Sequence, residues 1–394
     1  MALFKRDRSP DRSGRKAFNA LPMRSRAITF YAEDGDSWPH FESMVRELTG
    51  THGRDVCYLT SSDDDPILAD RDPLLHAFPI GDGAGRSFFF KSMQAGIVVA
   101  TVPRLGVSQL PRSQYAPSLG MEYVHVFHSM ASTHMIYDAD GFDRYDTVLC
   151  VGPYMVEEIR RREEVHGLPA KELVLHGYGR LDSILEAQAA AEPGRRDDRT
   201  VVLIAPSWGP TCIFETCGAE LVGHLLDAGY EVIARPHPMT RKHSPRGIAD
   251  LEQRFGGLDR FTLDLDIAGQ ASLHRSDVMV SDWSGAALEY AFGLERPVLF
   301  VDVPRKVNNA DWAGLGIEPF EASIRADIGR IVDAGDLARA PAVIAELMDD
   351  RAGFVDAIRS ARTTNIAHVG TSGGVAAELI AAKADAFLER LDDR

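Results

Sequence analysis

Cysteine is scarce in this sequence, and the four present, Cys57, Cys150, Cys212 and Cys217, form no Cys-x-x-Cys pair and have no His at zinc-finger spacing. A disulfide framework and a zinc finger are both excluded as organising devices, and the four read as reduced thiols in or near a core. Long apolar runs are missing too: nothing approaches the roughly 20 residues that a membrane-spanning helix needs. The opening "MALFKRDRSPDRSGRK" has basic residues with no apolar stretch behind them, so it is not a secretory signal, and the expected location is cytoplasmic. Positive charge is in deficit, with 43 Lys and Arg against 58 Asp and Glu and a net charge of −15. That argues against a nucleic-acid partner, because phosphate backbones demand a basic surface. No Gly-x-Ser-x-Gly nucleophile elbow occurs, and "GDGAG" at 81–85 lacks both the spacing and the Lys of a phosphate loop. The triplets Asp-Asp-Asp at 63–65 and Asp-Leu-Asp at 264–266 are short enough to arise by chance in so acidic a chain, and no metal site is expected.

What is present is ordinary soluble composition, 45% hydrophobic and 26% charged, over 394 residues, a length that suggests two domains. Charge is unevenly spread. The first 26 residues carry eight Lys or Arg against Asp7 and Asp11. Residues 1–25 are read as a basic, disordered and solvated arm, of a kind suited to a peripheral contact with the inner membrane surface.

From Arg26 onward strand and helix patterns alternate: "AITFYAED", then "HFESMVRELTG", then "DVCYLTSS", with later strands at "AGIVVAT", "EYVHVF", "DTVLCVG" and "ELVLHGYG". Such alternation predicts a mostly parallel sheet covered by helices on both faces. The pattern breaks at "EAQAAAEPGRRDDRT", residues 186–200, where Pro, Gly and charge replace apolar periodicity, and it restarts at "TVVLIAPSW". The expected architecture is α/β: two doubly wound Rossmann-type domains, at 26–186 and 200–394, facing a cleft, the second ending in a helical tail. Open α/β sheets bind ligands outside the carboxyl ends of their strands, so polar residues at predicted strand ends carry the functional argument.

The stretch "SDVMVSDWSGAALEYAFGLERPVLF" at 276–300 shows the point. A buried strand breaks into Ser281, Asp282, Trp283, Ser284 and Gly285 immediately before a helix, which sets hydroxyls and free N–H groups where the helix dipole is positive. An anion suits that place, although Ser284 or Asp282 would also serve simply as a helix cap. Glu289 stands one turn further on, able to reach a ribose hydroxyl if the helix points at a nucleotide. In "VIARPHPMTRKHS", Arg235 and His237 end a strand, with Pro236 and Pro238 restricting the backbone on both sides of the imidazole. Ser207 and Gly209 follow "VVLIAP" at another strand end. In the first half, "EYVHVFHSM" puts His128 at the end of a strand, where a neutral imidazole can take a proton from an attacking hydroxyl, while His125 is expected to be packed.

Taken in order, these strand ends resemble the CDP-glycerol glycerophosphotransferase family, the enzymes that build teichoic acids, capsules and related surface polymers. "HVFHSM" stands where that family ends a strand in His-Gly-Thr, and "LHGYGRLDSIL" resembles its Gly-Tyr-Pro-Arg-Asn-Asp. "VVLIAPSW" resembles its Tyr-Ala-Pro-Thr-Trp, "RPHP" its Arg-x-His-Pro, and "SDWSG" its Ser-Asp-Tyr-Ser-Ser. The resemblance runs from about His125 to Asn309. It implies a GT-B fold and transfer of glycerol phosphate from CDP-glycerol, or another CDP-linked polyol such as CDP-ribitol, to a polymer or lipid-linked acceptor, with no required cofactor or metal.

By the same resemblance His128 and His237 would be the catalytic histidines, His128 as general base. By it, too, Arg235 and His237 would hold the pyrophosphate and Ser281, Asp282, Ser284 and Gly285 would bind phosphate, while Ser207 and Glu289 are expected on the donor side and Ser129 and Arg180 on the acceptor side. This sequence departs from the family at Ser129 and Met130, which replace Gly and Thr, at Gly179, which replaces Pro, and at Gly285, which replaces a second Ser. The alternatives are a GT-B glycosyltransferase or epimerase acting on a sugar nucleotide, and a catalytically silent nucleotide-binding partner in polymer assembly.

Overall fold

The computed structural model describes residues 10–107, 110–190, 199–266 and 269–394. It divides into two compact units. One comprises residues up to His128, Asp138–Gly179 and Ala367–Arg394; the other comprises Ser129–Tyr137 and Arg180–Ile366.

The first unit is built on a seven-stranded parallel sheet in the order β3-β2-β1-β4-β5-β6-β7. Its strands are β1 (Ile28–Ala32), β2 (Val56–Thr60), β3 (Leu75–Pro79), β4 (Ile97–Ala100), β5 (Glu122–Val126), β6 (Thr147–Cys150) and β7 (Glu172–Leu175). Central strands such as "ITFYA" and "VCYLT" are buried along their whole length, because helices cover both faces of a parallel sheet. The edge strands β3 and β7 are only partly covered. That is why β3, whose "LHAFP" ends in a proline, carries little strand signal in the sequence.

Two helices close one face of this sheet. Trp38–Gly50 buries His40, Phe41, Met44, Val45 and Leu48, residues at helical spacing, and packs against Ser372–Asp392. The latter presents Ala376, Ala377, Ile380, Ala381, Ala384 and Phe387, and its alanines let the backbones approach. A Cβ on Gly373 would lie 2.7 Å from the Ser43 Cβ. The C-terminal helix therefore belongs to the first unit and not to a domain running from 200 to 394. Its apolar stripe is visible in the sequence; the surface it covers, 330 residues away, is not.

The basic arm also needs correction. Residues 1–9 lie outside the described residues, but Pro10–Ala20 is a helix whose Phe18 is fully buried, edge-on to Phe78 and Phe89. One aromatic side chain inserted beside β3 anchors a segment whose charge alone reads as solvated.

The second unit holds a six-stranded parallel sheet, β10-β9-β8-β11-β12-β13. The strands are β8 (Val201–Ile204), β9 (Glu231–Ala234), β10 (Phe261–Leu263), β11 (Val278–Ser281), β12 (Val298–Asp302) and β13 (Gly329–Asp333). In each unit the strand order reverses once, between β1 and β4 and between β8 and β11, the doubly wound signature. The segment expected to link the domains begins later than its composition suggests: the helix Gly179–Ala190 runs through 186–190, and 191–198 lie outside the described residues.

Candidate functional site

The reversal point of the second sheet is where sequence and geometry meet. Asp282, at the end of β11, is buried, and its two carboxylate oxygens accept the backbone N–H of Ser207 (2.6 Å) and of Ile213 (3.0 Å). Ser281 donates its hydroxyl to the Ala205 carbonyl at 2.7 Å. Both residues thus bind the loop after β8 to the turn after β11. Expected to touch phosphate, they hold the turn in shape, and these hydrogen bonds are spent inside the fold. Trp283 turns the other way, donating Nε1–H to the Val303 carbonyl, with the Arg325 guanidinium stacked 3.3 Å above its ring. The polar break in the apolar run is therefore a knot with three anchors.

What the knot presents is the start of the helix Gly285–Leu294. Ser284 caps it, accepting the Ala286 N–H at 3.3 Å. The cap reading of Ser284 is correct, and it leaves the first N–H groups of a ten-residue helix at the strand ends. Gly285 lets Ser129 lie close: a Cβ there would stand 2.4 Å from the Ser129 Oγ, so the hydroxyl would have to swing away. Ser129, expected on the acceptor side, lies in the second unit over this helix start, where its hydroxyl also accepts the Ala131 N–H.

Glu289 is paired with Arg180, Nε to Oε2 at 2.8 Å, with both side chains largely buried. The carboxylate expected at a ribose and the arginine expected at an acceptor hold each other, tying the helix Gly179–Ala190 to Gly285–Leu294. Arg235 is likewise engaged internally. Its guanidinium donates to Ser272 Oγ (2.7 Å) and the Gly269 carbonyl (2.8 Å) and faces Asp264 at 3.9 Å. Burial lowers its pKa, and Asp264 opposes that shift. It orders the segment beside β9, which a reading of "RPHP" alone does not show.

His237 is different. It caps the helix Pro238–His243 with Nδ1, which accepts the Met239 N–H at 3.1 Å. An Nδ1 that accepts carries no proton, so Nε2 bears it in the neutral ring and is a donor. The imidazole is half-buried, 6.2 Å from the Trp208 ring. Trp208 and Lys306 escaped the sequence reading. Lys306 lies in "PRKVNN", a stretch that looks like any solvated loop, yet its Nζ stands 4.3 Å over the Trp208 ring. The only available signal was the Trp immediately after a predicted strand end.

In the first unit, β5 is followed two residues on by His128, an exposed imidazole whose ring stands edge-on to His40, with centroids 6.2 Å apart. His40 in turn packs against Tyr178. His125, three residues earlier, is buried among Phe127, Phe142 and Tyr145, and burial holds its pKa well below the ordinary value. His125, inside β5, is packed, and His128, two residues past the strand's end, is exposed. The four cysteines are free, three buried and Cys217 half-buried. Among the described residues no group of three His, Cys, Asp or Glu could hold a metal ion, and no helix is long and apolar enough to cross a membrane.

Two doubly wound parallel sheets, each reversing once, define an α/β fold of the GT-B kind. The family of CDP-glycerol:poly(glycerophosphate) glycerophosphotransferases matches residues 107–307, just over half of the chain, and the chain belongs to that family. It is an enzyme, and glycerophosphate transfer from CDP-glycerol is the family's activity. No curated protein matches the chain.

Among solved structures, the fold is similar to that of the wall teichoic acid polymerase TagF soaked with CDPG. That likeness has a TM-score of 0.60 at 14% identity and covers 97% of this chain and 95% of that one. It is also similar to the UDP-GlcNAc 2-epimerase of Methanocaldococcus jannaschii in complex with UDP-GlcNAc and UDP, with a TM-score of 0.56, 10% identity, and 90% and 99% covered. The S. aureus MnaA–UDP structure gives 0.57 at 12%, with 88% and 94% covered. At such identities these likenesses establish the fold.

Proposed function

We propose that this enzyme transfers glycerol phosphate from CDP-glycerol to a hydroxyl of a poly(glycerophosphate) or lipid-linked acceptor and releases CMP. Family membership supports the donor. The observation that carries the reading within the structure is the helix start at Ser284 and Gly285, fixed at the reversal point of the second sheet by the two hydrogen bonds to Asp282.

In this reading the acceptor oxygen attacks the β-phosphorus of CDP-glycerol, the bond from that phosphorus to the bridging oxygen breaks, and CMP leaves with the electron pair. His128 removes the acceptor proton. Charge spread over the transferred phosphoryl oxygens is met by the N–H groups of Gly285–Leu294 and by the Nε2–H of His237. That is catalysis by positioning and electrostatics, without a covalent enzyme intermediate. Arg235, Ser281, Asp282 and the Arg180–Glu289 pair act one layer out, holding those donors in place. The acceptor polymer is presented at the inner membrane face.

The test is product identity. Purified protein is incubated with CDP-glycerol, CDP-ribitol or a UDP-sugar in the presence of glycerol-phosphate-primed acceptor. CMP from CDP-glycerol, with phosphate and glycerol moved together, is the expected result. UDP released from the sugar nucleotide would make the chain a glycosyltransferase sharing only the fold.

A further inference from the structure

We infer that Lys306 is a donor-binding residue, whose ammonium meets a phosphate oxygen of the CDP-linked donor at the reversal point of the second sheet. The inference rests on the donor reading above and adds to it a residue that no sequence motif singles out.

Lys306 follows β12 by four residues, yet its Nζ lies over Trp208, which follows β8. The strand order is β8-β11-β12, so the side chain reaches past the end of β11, the strand that carries the Asp282 knot and the Gly285 helix start. Among the described residues its ammonium holds no ion pair. Asp282 attracts it, but that carboxylate is already occupied by two backbone N–H groups. Cys212, the other group that favours the charge, is a thiol pushed up to about 11 by burial and stays neutral. His237 and His243 face the same indole and bring no negative charge. Arg305, next in sequence, is turned to Glu318. A half-buried cation resting on a π-face and lacking a carboxylate of its own is poised for an anionic ligand.

Burial lowers the Lys306 pKa to about 8, with Asp282 opposing. The sign follows directly. Below that value the ammonium is charged and ready; above it, a bound phosphate must first draw a proton onto the amine. Donor affinity then falls by about tenfold for each pH unit above 8, until the whole contribution of the residue is gone.

The test is CDP-glycerol binding by calorimetry at pH 7 and pH 9 to the wild type, Lys306→Arg and Lys306→Met. Methionine keeps a flexible apolar stem against Trp208, so the fold is retained, and circular dichroism checks it. The wild type is expected to bind about tenfold more weakly at pH 9. Lys306→Met should be at least tenfold weaker at pH 7 and insensitive to pH. Lys306→Arg should bind like the wild type at pH 7 and keep that affinity at pH 9. Wild-type affinity in Lys306→Met at both pH values overturns the role of Lys306 alone. A wild type that fails to bind CDP-glycerol overturns the donor reading and this inference together.

Discussion

At its carboxyl ends the first sheet offers one exposed imidazole, His128, next to a second, His125, sealed in aromatic packing. The second sheet ends in a fastened array: Trp208 after β8, His237 after β9, Asp282 and the Gly285 helix after β11, and Lys306 after β12. Both sheets are parallel and wound in the same order around one reversal. The winding therefore assigns no chemistry; it fixes where polar residues must emerge, and the residues that emerge decide what each unit does. Two binding partners suit this division. A nucleotide diphosphate wants many fixed donors, which the second unit supplies. In the proposed reading a hydroxyl to be deprotonated meets a single base, His128, in the first.

The largest expected effects come from removing the proposed base and one of the proposed donors. His128→Ala should cost about 10²- to 10⁴-fold in turnover, the usual worth of a general base. Because the side chain is exposed, the melting temperature should stay unchanged. His237→Asn is the matching change in the second unit. Asparagine still caps a helix, so the fold is kept, while the Nε2–H is lost. CMP release measured for both variants decides the matter, and near-normal turnover in either one removes that residue from the mechanism.

A smaller effect on chemistry, and a larger one on stability, is expected at Asp282. Its replacement by Ala leaves the Ser207 and Ile213 N–H groups buried without acceptors, at about 2–6 kcal/mol for the two. Denaturant unfolding should show that loss, and donor affinity should fall with it because the helix start is no longer held. A variant as stable as the wild type would mean that the knot does not organise the second unit's array. No such penalty is expected at His128, and the contrast separates residues that build the site from those that work in it.

The same contrast explains how much was legible. Strand and helix alternation gave the fold class, since buried parallel strands such as "VVLI" and "VMVS" announce themselves by composition. The strand-end rule led to His128, His237 and the Ser284–Gly285 turn. It also led to Arg235, Asp282 and Glu289, whose partners come from up to 109 residues away, as Arg180 does for Glu289. Nothing local tells a charged side chain that will meet a ligand from one that will meet another side chain. Lys306 and the return of Ser372–Asp392 to the first unit were invisible for the converse reason: each depends on a surface that exists only after folding.

The smallest expected effect lies at Gly285 and concerns how Ser129, emerging after β5, came to sit at the second unit's helix start. Alanine there would place its Cβ 2.4 Å from the Ser129 Oγ, closer than side-chain atoms approach. The hydroxyl is the end of a short rotor and can swing away, and alanine is the better helix former, so the two terms nearly cancel in stability, to within about 1 kcal/mol. The coupling does not cancel. Gly285→Ala alone should displace Ser129 and raise the KM for CDP-glycerol several-fold. In the Ser129→Gly background the same change should be close to neutral, because the clash is gone. A double-mutant cycle in KM and in unfolding free energy reads that difference. Additive effects would show that the hydroxyl and the helix start do not meet in the working enzyme, and the array after β11 would then end at Ser284.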